Sequence, residues 1–376
     1  MDRARTGGRR PRALRHHRRV ARRPLPRPLP APGPASPGAP RVSQHRFGFL
    51  ASLLDDPDVE EIIVLGGRRT FVVRGGTKEL LPEVADPEQV RRIADQLLAG
   101  TGRRLDLADP IVSAQLADGS RVHLTGPPVT HADRLNIQVR KFVLRAARLE
   151  DLAGRGALAP DAARLLAEAV RADRTILVAG SPGAGKTTLV NCLLAEVPPE
   201  RRVVTCEEVF EVQADLPDMT QMQTRPAGLD GGGAITLRDL VREALRQRPD
   251  RIVVGEVRGP EALDMIMALN AGCSGFATLH ANSARDALEK LVGYCMLAGE
   301  NVAEAFVRRA VAAVADLVVF LRRTPAGRHV EEIVGVPSQL EAGVFTTEVL
   351  WARQGGGSHR RATPAKAALA AAEVGR

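Results

Sequence analysis

Residues Thr175 to Leu194 read TILVAGSPGAGKTTLVNCLL. A β-branched, apolar run (TILVA) leads into a glycine-rich turn (GSPGAGK), and an apolar-periodic helix (TTLVNCLL) follows. Gly180, Gly185, Lys186 and Thr187 satisfy the pattern G-x-x-x-x-G-K-[ST]. The loop Gly180, Ser181, Pro182, Gly183, Ala184 and Gly185 can turn several backbone N–H groups onto one phosphate chain. The helix behind it adds the positive end of its dipole. Lys186 is placed to reach the β- and γ-phosphates, and the Thr187 hydroxyl to ligate Mg²⁺, with Thr188 closing the loop. The stretch therefore predicts a nucleoside triphosphatase site taking ATP and Mg²⁺, inside an α/β fold.

The segments around this loop alternate helix and strand. The helix DAARLLAEAVRA precedes it, and RRVVTC, RIVVG and GFATL follow as apolar strands separated by the helices TLRDLVREALRQRPD and PEALDMIMALNAG. Such alternation predicts a doubly wound, mostly parallel sheet. Ligands of such sheets bind beyond the carboxyl ends of the strands. The residues ending those strands are therefore candidates for the chemistry: Glu207 and Glu208 after RRVVTC, with Glu211 one turn on, Glu256 after RIVVG, and His280 after FATL. Glu256 is expected to orient the attacking water or accept its proton. Glu207 or Glu208 would hold Mg²⁺ through water or position the nucleophile, and His280 would bond a γ-phosphate oxygen. A cation is also wanted by a phosphoryl transition state. Arg258, the Arg238/Arg242/Arg246 stripe of one helix, Arg121 and Arg140 are the candidates, each with an ordinary ion pair as its plainer account.

Upstream, from Phe47, the pattern is different. EIIVL and RTFVVR form a hairpin, and DPEQVRRIADQLLAG is an amphipathic helix with its apolar residues at Val90, Ile93, Ala94, Leu97 and Leu98. DPIVSAQLADGSRVHLTGPP and LNIQVRKF add two or three strands around the Asp118-Gly119 turn. The predicted organisation is an Arg/Pro-rich disordered tail at 1–45, a small α+β domain at 46–142, and a linker at 143–150. The ATPase domain follows at 151–353, with a flexible tail at 354–376.

Charge supports that division. Residues 1–42 carry twelve Arg against one Asp, so a chain of net charge +9 leaves residues 43–376 at −2. A nearly neutral folded part argues against a nucleic-acid track, which needs a basic face. The tail, with nine prolines between Pro11 and Pro40, cannot bury enough apolar surface to offset chain entropy. It either touches anionic lipid or nucleic acid, or is upstream sequence read from a misassigned start. Cys192, Cys206, Cys273 and Cys295 form no C-x-x-C pair, which excludes a zinc framework and suits reduced thiols in a cytosolic protein. No apolar run of about eighteen residues predicts a membrane span, and no apolar stretch follows the basic N-terminus as a secretory signal requires.

Taken together, these motifs resemble the secretion ATPases of the type II and type IV superfamily. Within it they are most similar to the CpaF/TadA-type ATPases of Tad (Flp) pilus assembly, over about Phe49 to Leu350. The family's phosphate loop falls on GSPGAGKTT and its acidic box on Glu207, Glu208 and Glu211. Its Walker B region falls on RPDRIVVGEVRG, where Glu256 carries the role in the absence of the usual Asp, and its His box on GFATLHAN with His280. GRRLDLADPIVSAQLADGSRVHLTGPP and IQVRKF resemble its first domain. The chain departs at Glu208, where Asp is usual, at Ser113 and Gln115, where charges are usual, and at Cys273 and Ser274, where His and Asp are common. The resemblance implies a RecA-like P-loop domain and Arg140 near the nucleotide across a domain cleft. It also implies a cytoplasmic homo-hexamer docked on an inner-membrane platform protein, with the basic tail as a peripheral membrane contact. The expected function is an ATP-driven motor for pilus assembly or protein export. A conjugation-type or nucleic-acid-translocating ATPase is one alternative, and a nucleotide-dependent scaffold without turnover is the other.

Overall fold

The computed structural model describes residues 47–66, 68–82, 86–116, 118–131, 134–141, 148–227, 232–353 and 359–360. The basic tail, most of the expected linker and most of the C-terminal tail lie outside them.

The first part of the described chain is one antiparallel sheet with two helices. In chain order it runs α1 (Leu50–Asp55), β1 (Val59–Leu65), β2 (Arg69–Arg74), β3 (Thr77–Leu81), α2 (Pro87–Leu98), β4 (Ile111–Gln115), β5 (Arg121–Thr125) and β6 (Asn136–Arg140). The strand order is β3-β2-β1-β6-β5-β4. Alternation decides which face is covered. Ile62, Val64, Val72, Val112, Val122, Leu124, Ile137 and Val139 form one core with Val90, Ile93, Ala94, Leu97 and Leu98 of α2. Their neighbours Ser113, His123, Gln138 and Arg140 point the other way and are exposed. The sequence pattern missed β3, whose residues TKELL are mostly exposed and carry no periodic signal.

The second part holds α3 (Leu149–Gly154), α4 (Pro160–Arg171), β7 (Ile176–Gly180), α5 (Lys186–Leu194), β8 (Val203–Glu207), β9 (Met219–Gln223), α6 (Leu237–Leu245) and β10 (Arg251–Val257). It continues with α7 (Glu261–Asn270), β11 (Ser274–Leu279), α8 (Ala284–Met296), α9 (Glu304–Val314), β12 (Leu317–Thr324), β13 (Gly327–Gly335), β14 (Glu348–Arg353) and β15 (His359–Arg360). The sheet order is β15-β14-β13-β12-β7-β11-β10-β8-β9. From β12 to β9 every pair is parallel, and β12 to β15 pair antiparallel.

Parallel strands buried on both faces read as continuous apolar runs because alternate side chains serve different layers. Leu177, Ala179, Ile252, Val254, Ala277 and Leu279 pack towards α6, α7, α8 and α9. Ile176, Val178, Val253 and Phe276 pack towards α4 and α5. Each fully buried Val, Leu, Ile or Phe contributes about 1.5–3 kcal/mol, so this double burial fixes the register of β7. Register in turn sets where the phosphate loop begins. At α8 the Ser283 hydroxyl accepts from the Asp286 N–H at 3.0 Å, the first half of the expected capping box. The Asp286 carboxylate instead takes the N–H of Asn282.

Candidate active site

β7 leaves the sheet between β11 and β12. Gly180 must be glycine there. A Cβ would lie 2.6 Å from the Leu321 carbonyl oxygen of β12. Gly185, the N-cap of α5, sits at φ 97°, in the left-handed region that L side chains avoid. The loop between them meets the start of α5, where backbone N–H groups have no partner within the helix.

Lys186 opens α5 and is only 7% exposed. Its Nζ donates to the carbonyls of Gly180 at 3.2 Å and Ser181 at 3.3 Å, and lies 3.0 Å from His280 Nδ1. Burial pulls its pKa down to about 8, against the opposing pull of Glu256, and the Arg140 charge lowers it further. His280 follows β11, and its Nε2 is 3.1 Å from Glu256 Oε1 on β10. An ammonium can only donate, so the Lys186 contact uses the lone pair of Nδ1, whereas the Gly180 carbonyl, 3.2 Å from the same nitrogen, can only take a proton from it; in either tautomer Nε2 faces Glu256. The expected strand-end residues Glu256 and His280 thus meet at the loop.

The acidic segment after β8 sorts differently. Glu207 is 1% exposed. One of its oxygens accepts from the Thr205 hydroxyl at 2.8 Å, and the other from the N–H groups of Glu211 and Val212 at 2.8 and 2.9 Å. Burial raises its pKa while those bonds restrain the rise. Its carboxylate is a strut for the turn behind it. Glu208 pairs with Arg258, and neither lines the cleft over the loop. The acid brought to the loop is Glu211. Its Oε2 accepts from the Thr187 hydroxyl at 3.0 Å, and its Oε1 lies 2.7 Å from Arg121 Nη2. The sequence named it only as the last acid of the box Glu207, Glu208 and Glu211, one turn after a strand end.

The cleft over the loop has a volume of about 770 Å³. The N-terminal sheet forms its far wall with Arg121 and Arg140, which are paired positions of β5 and β6. Arg140 has no ion pair among the described residues. The hairpin of β12 and β13 supplies two cations that sequence reasoning missed. Arg323 bonds the Gly76 carbonyl while its guanidinium stands 3.2 Å from where a Gly183 Cβ would be, and Arg328 pairs with Glu60 at 2.6 Å. Arg238 and Arg242 are spent on Asp264 at 2.5 and 2.7 Å, and Arg246 pairs with Glu243. The donor set fits Mg²⁺ held chiefly by phosphates and water, with Thr187 Oγ1 and one carboxylate nearby. No cluster of three or more metal-ligating side chains exists among the described residues.

A phosphate loop, a lysine wired through a histidine to a strand-end glutamate, and a preceding antiparallel domain that closes the cleft now stand together. The family model for type II/IV secretion system proteins matches residues 43–325. The chain belongs to the type II/IV secretion system protein family. A Mycobacterium tuberculosis member, whose name assigns it provisionally to conjugal transfer, is 37% identical over 317 residues, 82% of this chain and 89% of that protein. The type IV secretion system protein PtlH of Bordetella pertussis is 34% identical over 244 residues, 57% of this chain and 70% of its own length. Among solved structures, the Legionella pneumophila ATPase DotB is similar at TM-score 0.55 and 19% identity, covering 76% of this chain and 79% of DotB. That last likeness speaks for the fold alone: an N-terminal domain followed by a P-loop ATPase domain. Among the described residues of this family member, no helix is long and apolar enough to cross a membrane.

Proposed function

We propose that this chain is an ATPase whose hydrolysis drives a secretion-family machine at a membrane. The observation that carries the reading is the connected set Lys186–His280–Glu256 against the phosphate loop. Lys186 would exchange the carbonyls of Gly180 and Ser181 for phosphate oxygens. The loop N–H groups and the start of α5 neutralise the phosphate chain. Glu256, its carboxylate oriented by His280, accepts a proton from the attacking water or aligns it. Thr187 and, beside it, Glu211 would help hold Mg²⁺, which would offset charge on the phosphates. Arg140, from the opposite wall, supplies a further cation to the phosphates.

Within that reading, the chain would work as a ring of identical subunits at the cytoplasmic face of a membrane, on a platform protein. Pilus assembly of the Tad type rests on the resemblance of the phosphate loop, His box and first domain. Conjugal transfer is favoured instead by the name of the M. tuberculosis relative. The near-neutral charge of residues 43–376 favours protein over DNA as the transported material.

The test is phosphate release by the purified full chain with ATP and Mg²⁺, beside Lys186→Ala. We expect turnover in the wild type and none in the variant. Turnover in neither would leave a nucleotide-binding scaffold, and equal turnover in both would move the active site elsewhere. Stimulation by anionic phospholipid vesicles supports the membrane-platform reading, and stimulation by single-stranded DNA supports conjugation.

A further inference from the structure

Glu211 touches both the phosphate loop and the N-terminal sheet through its two carboxylate oxygens: Thr187 Oγ1 at 3.0 Å on one, Arg121 Nη2 at 2.7 Å on the other. Its backbone is held in place. The Glu211 N–H donates to Glu207 at 2.8 Å, and the Glu211 carbonyl accepts from Asn191 Nδ2 at 3.2 Å, with Asn191 itself on α5. The carboxylate therefore belongs to the ATPase sheet and cannot follow Arg121 far.

A hydroxyl has one proton and two lone pairs. By giving its proton to Glu211, Thr187 turns its lone pairs away from that carboxylate, free for a cation. From the turn after β8, Glu211 takes that proton. A cation at Thr187 would add a second positive charge beside a carboxylate already paired with Arg121. Two cations sharing one carboxylate weaken each other's hold on it.

Resting on the nucleotide-site reading above, in which Thr187 and Glu211 would lie beside nucleotide-bound Mg²⁺, we propose that Arg121 of the N-terminal sheet competes with that cation for the Glu211 carboxylate. Coupling of this kind is reciprocal. Whatever Arg121 costs the Mg²⁺, the Mg²⁺ costs the Arg121 bridge, so loading Mg²⁺–nucleotide loosens one of the ties between the two sheets. Other ties among the described residues include Gln115 to Phe210 and Gln223, Arg323 to Gly76 and Arg328 to Glu60. None of these touches Thr187.

The experiment measures ADP affinity of the full chain in EDTA and in saturating Mg²⁺, and takes the ratio as the Mg²⁺ gain. ADP binding in EDTA tests the nucleotide site; its absence from the wild type would refute the site and not the competition. Arg121→Ala is expected to raise the Mg²⁺ gain about fivefold or more, the lower range of coupling between linked sites. Arg121→Lys keeps the charge and should stay near wild type. Arg121→Gln should behave like the Ala variant and covers the case in which Ala destabilises the sheet. Glu211→Gln should lose most of the gain, and adding Arg121→Ala to it should change nothing more. An Arg121→Ala gain equal to or below wild type, or one that persists in the Glu211→Gln background, overturns the proposal.

Discussion

His280 Nε2 lies 3.1 Å from Glu256 Oε1, so two residues from the ends of adjacent parallel strands are joined directly above the phosphate loop. The other ring nitrogen faces Lys186. One imidazole therefore stands between the lysine of the phosphate loop and the strand-end acid.

Glu256→Gln preserves size and hydrogen-bonding shape and removes the basic oxygen. Turnover should fall about 10²–10⁴-fold, the range of a positioned general base. ADP affinity should stay within a few-fold of wild type, because the loop and Lys186 are untouched. Phosphate release and equilibrium titration separate the two effects. Retained turnover would pass the base role to Glu211, the other carboxylate at the loop.

Lys186 predicts a pH dependence. Its pKa in the protein is about 8, below the ordinary 10.5, with burial as the cause. Phosphate favours the charged form and raises that value. ADP affinity should thus be flat below about pH 8 and fall above it, by up to about tenfold per pH unit. The contribution to stability has the opposite sign. Between about 8 and 10.5 the unfolded chain binds more protons at this group, so stability from it rises with pH. Titrations from pH 6.5 to 9.5 check the binding limb, and a flat profile would contradict it.

Arg140→Ala removes a cation that faces Lys186 across the cleft and lowers its pKa. If Arg140 bonds a phosphate, its loss should cost about 1.5–3 kcal/mol of nucleotide affinity, as charge-assisted hydrogen bonds do. The pH midpoint for Lys186 should also move upward. Unchanged affinity together with an unmoved midpoint would return Arg140 to the solvated surface.

Gly180→Ala places a methyl group 2.6 Å from the Leu321 carbonyl and 3.2 Å from the Ala184 Cβ. The carbonyl belongs to a strand ladder and cannot give way. Overpacking of this kind costs about 1–3 kcal/mol, and the loop must shift with β12. Chemical denaturation should show the loss of stability, and ADP binding should weaken with it. A variant as stable as wild type would mean that β7 and β12 can part without cost.

By itself the sequence determined what is local. Strand, turn and helix are contiguous in Thr175 to Leu194, so the phosphate loop could be read from one stretch. The apolar runs before Glu256 and His280 showed both residues to be strand ends, because strands buried on both faces need unbroken apolar composition. Family membership followed from the same segments. Among Glu207, Glu208 and Glu211, all within one short stretch, composition made no distinction. Tertiary structure made it: Glu207 lies in the buried ladder of β8, Glu208 turns out to Arg258, and the turn between them and Val212 carries Glu211 to Thr187. Arg121 is ninety residues from Glu211, and Arg323 lies further still from Gly76. Their pairing depends on strand order and on which face of a sheet each position presents. Those are set by long-range packing of the whole core, and no local periodicity encodes them.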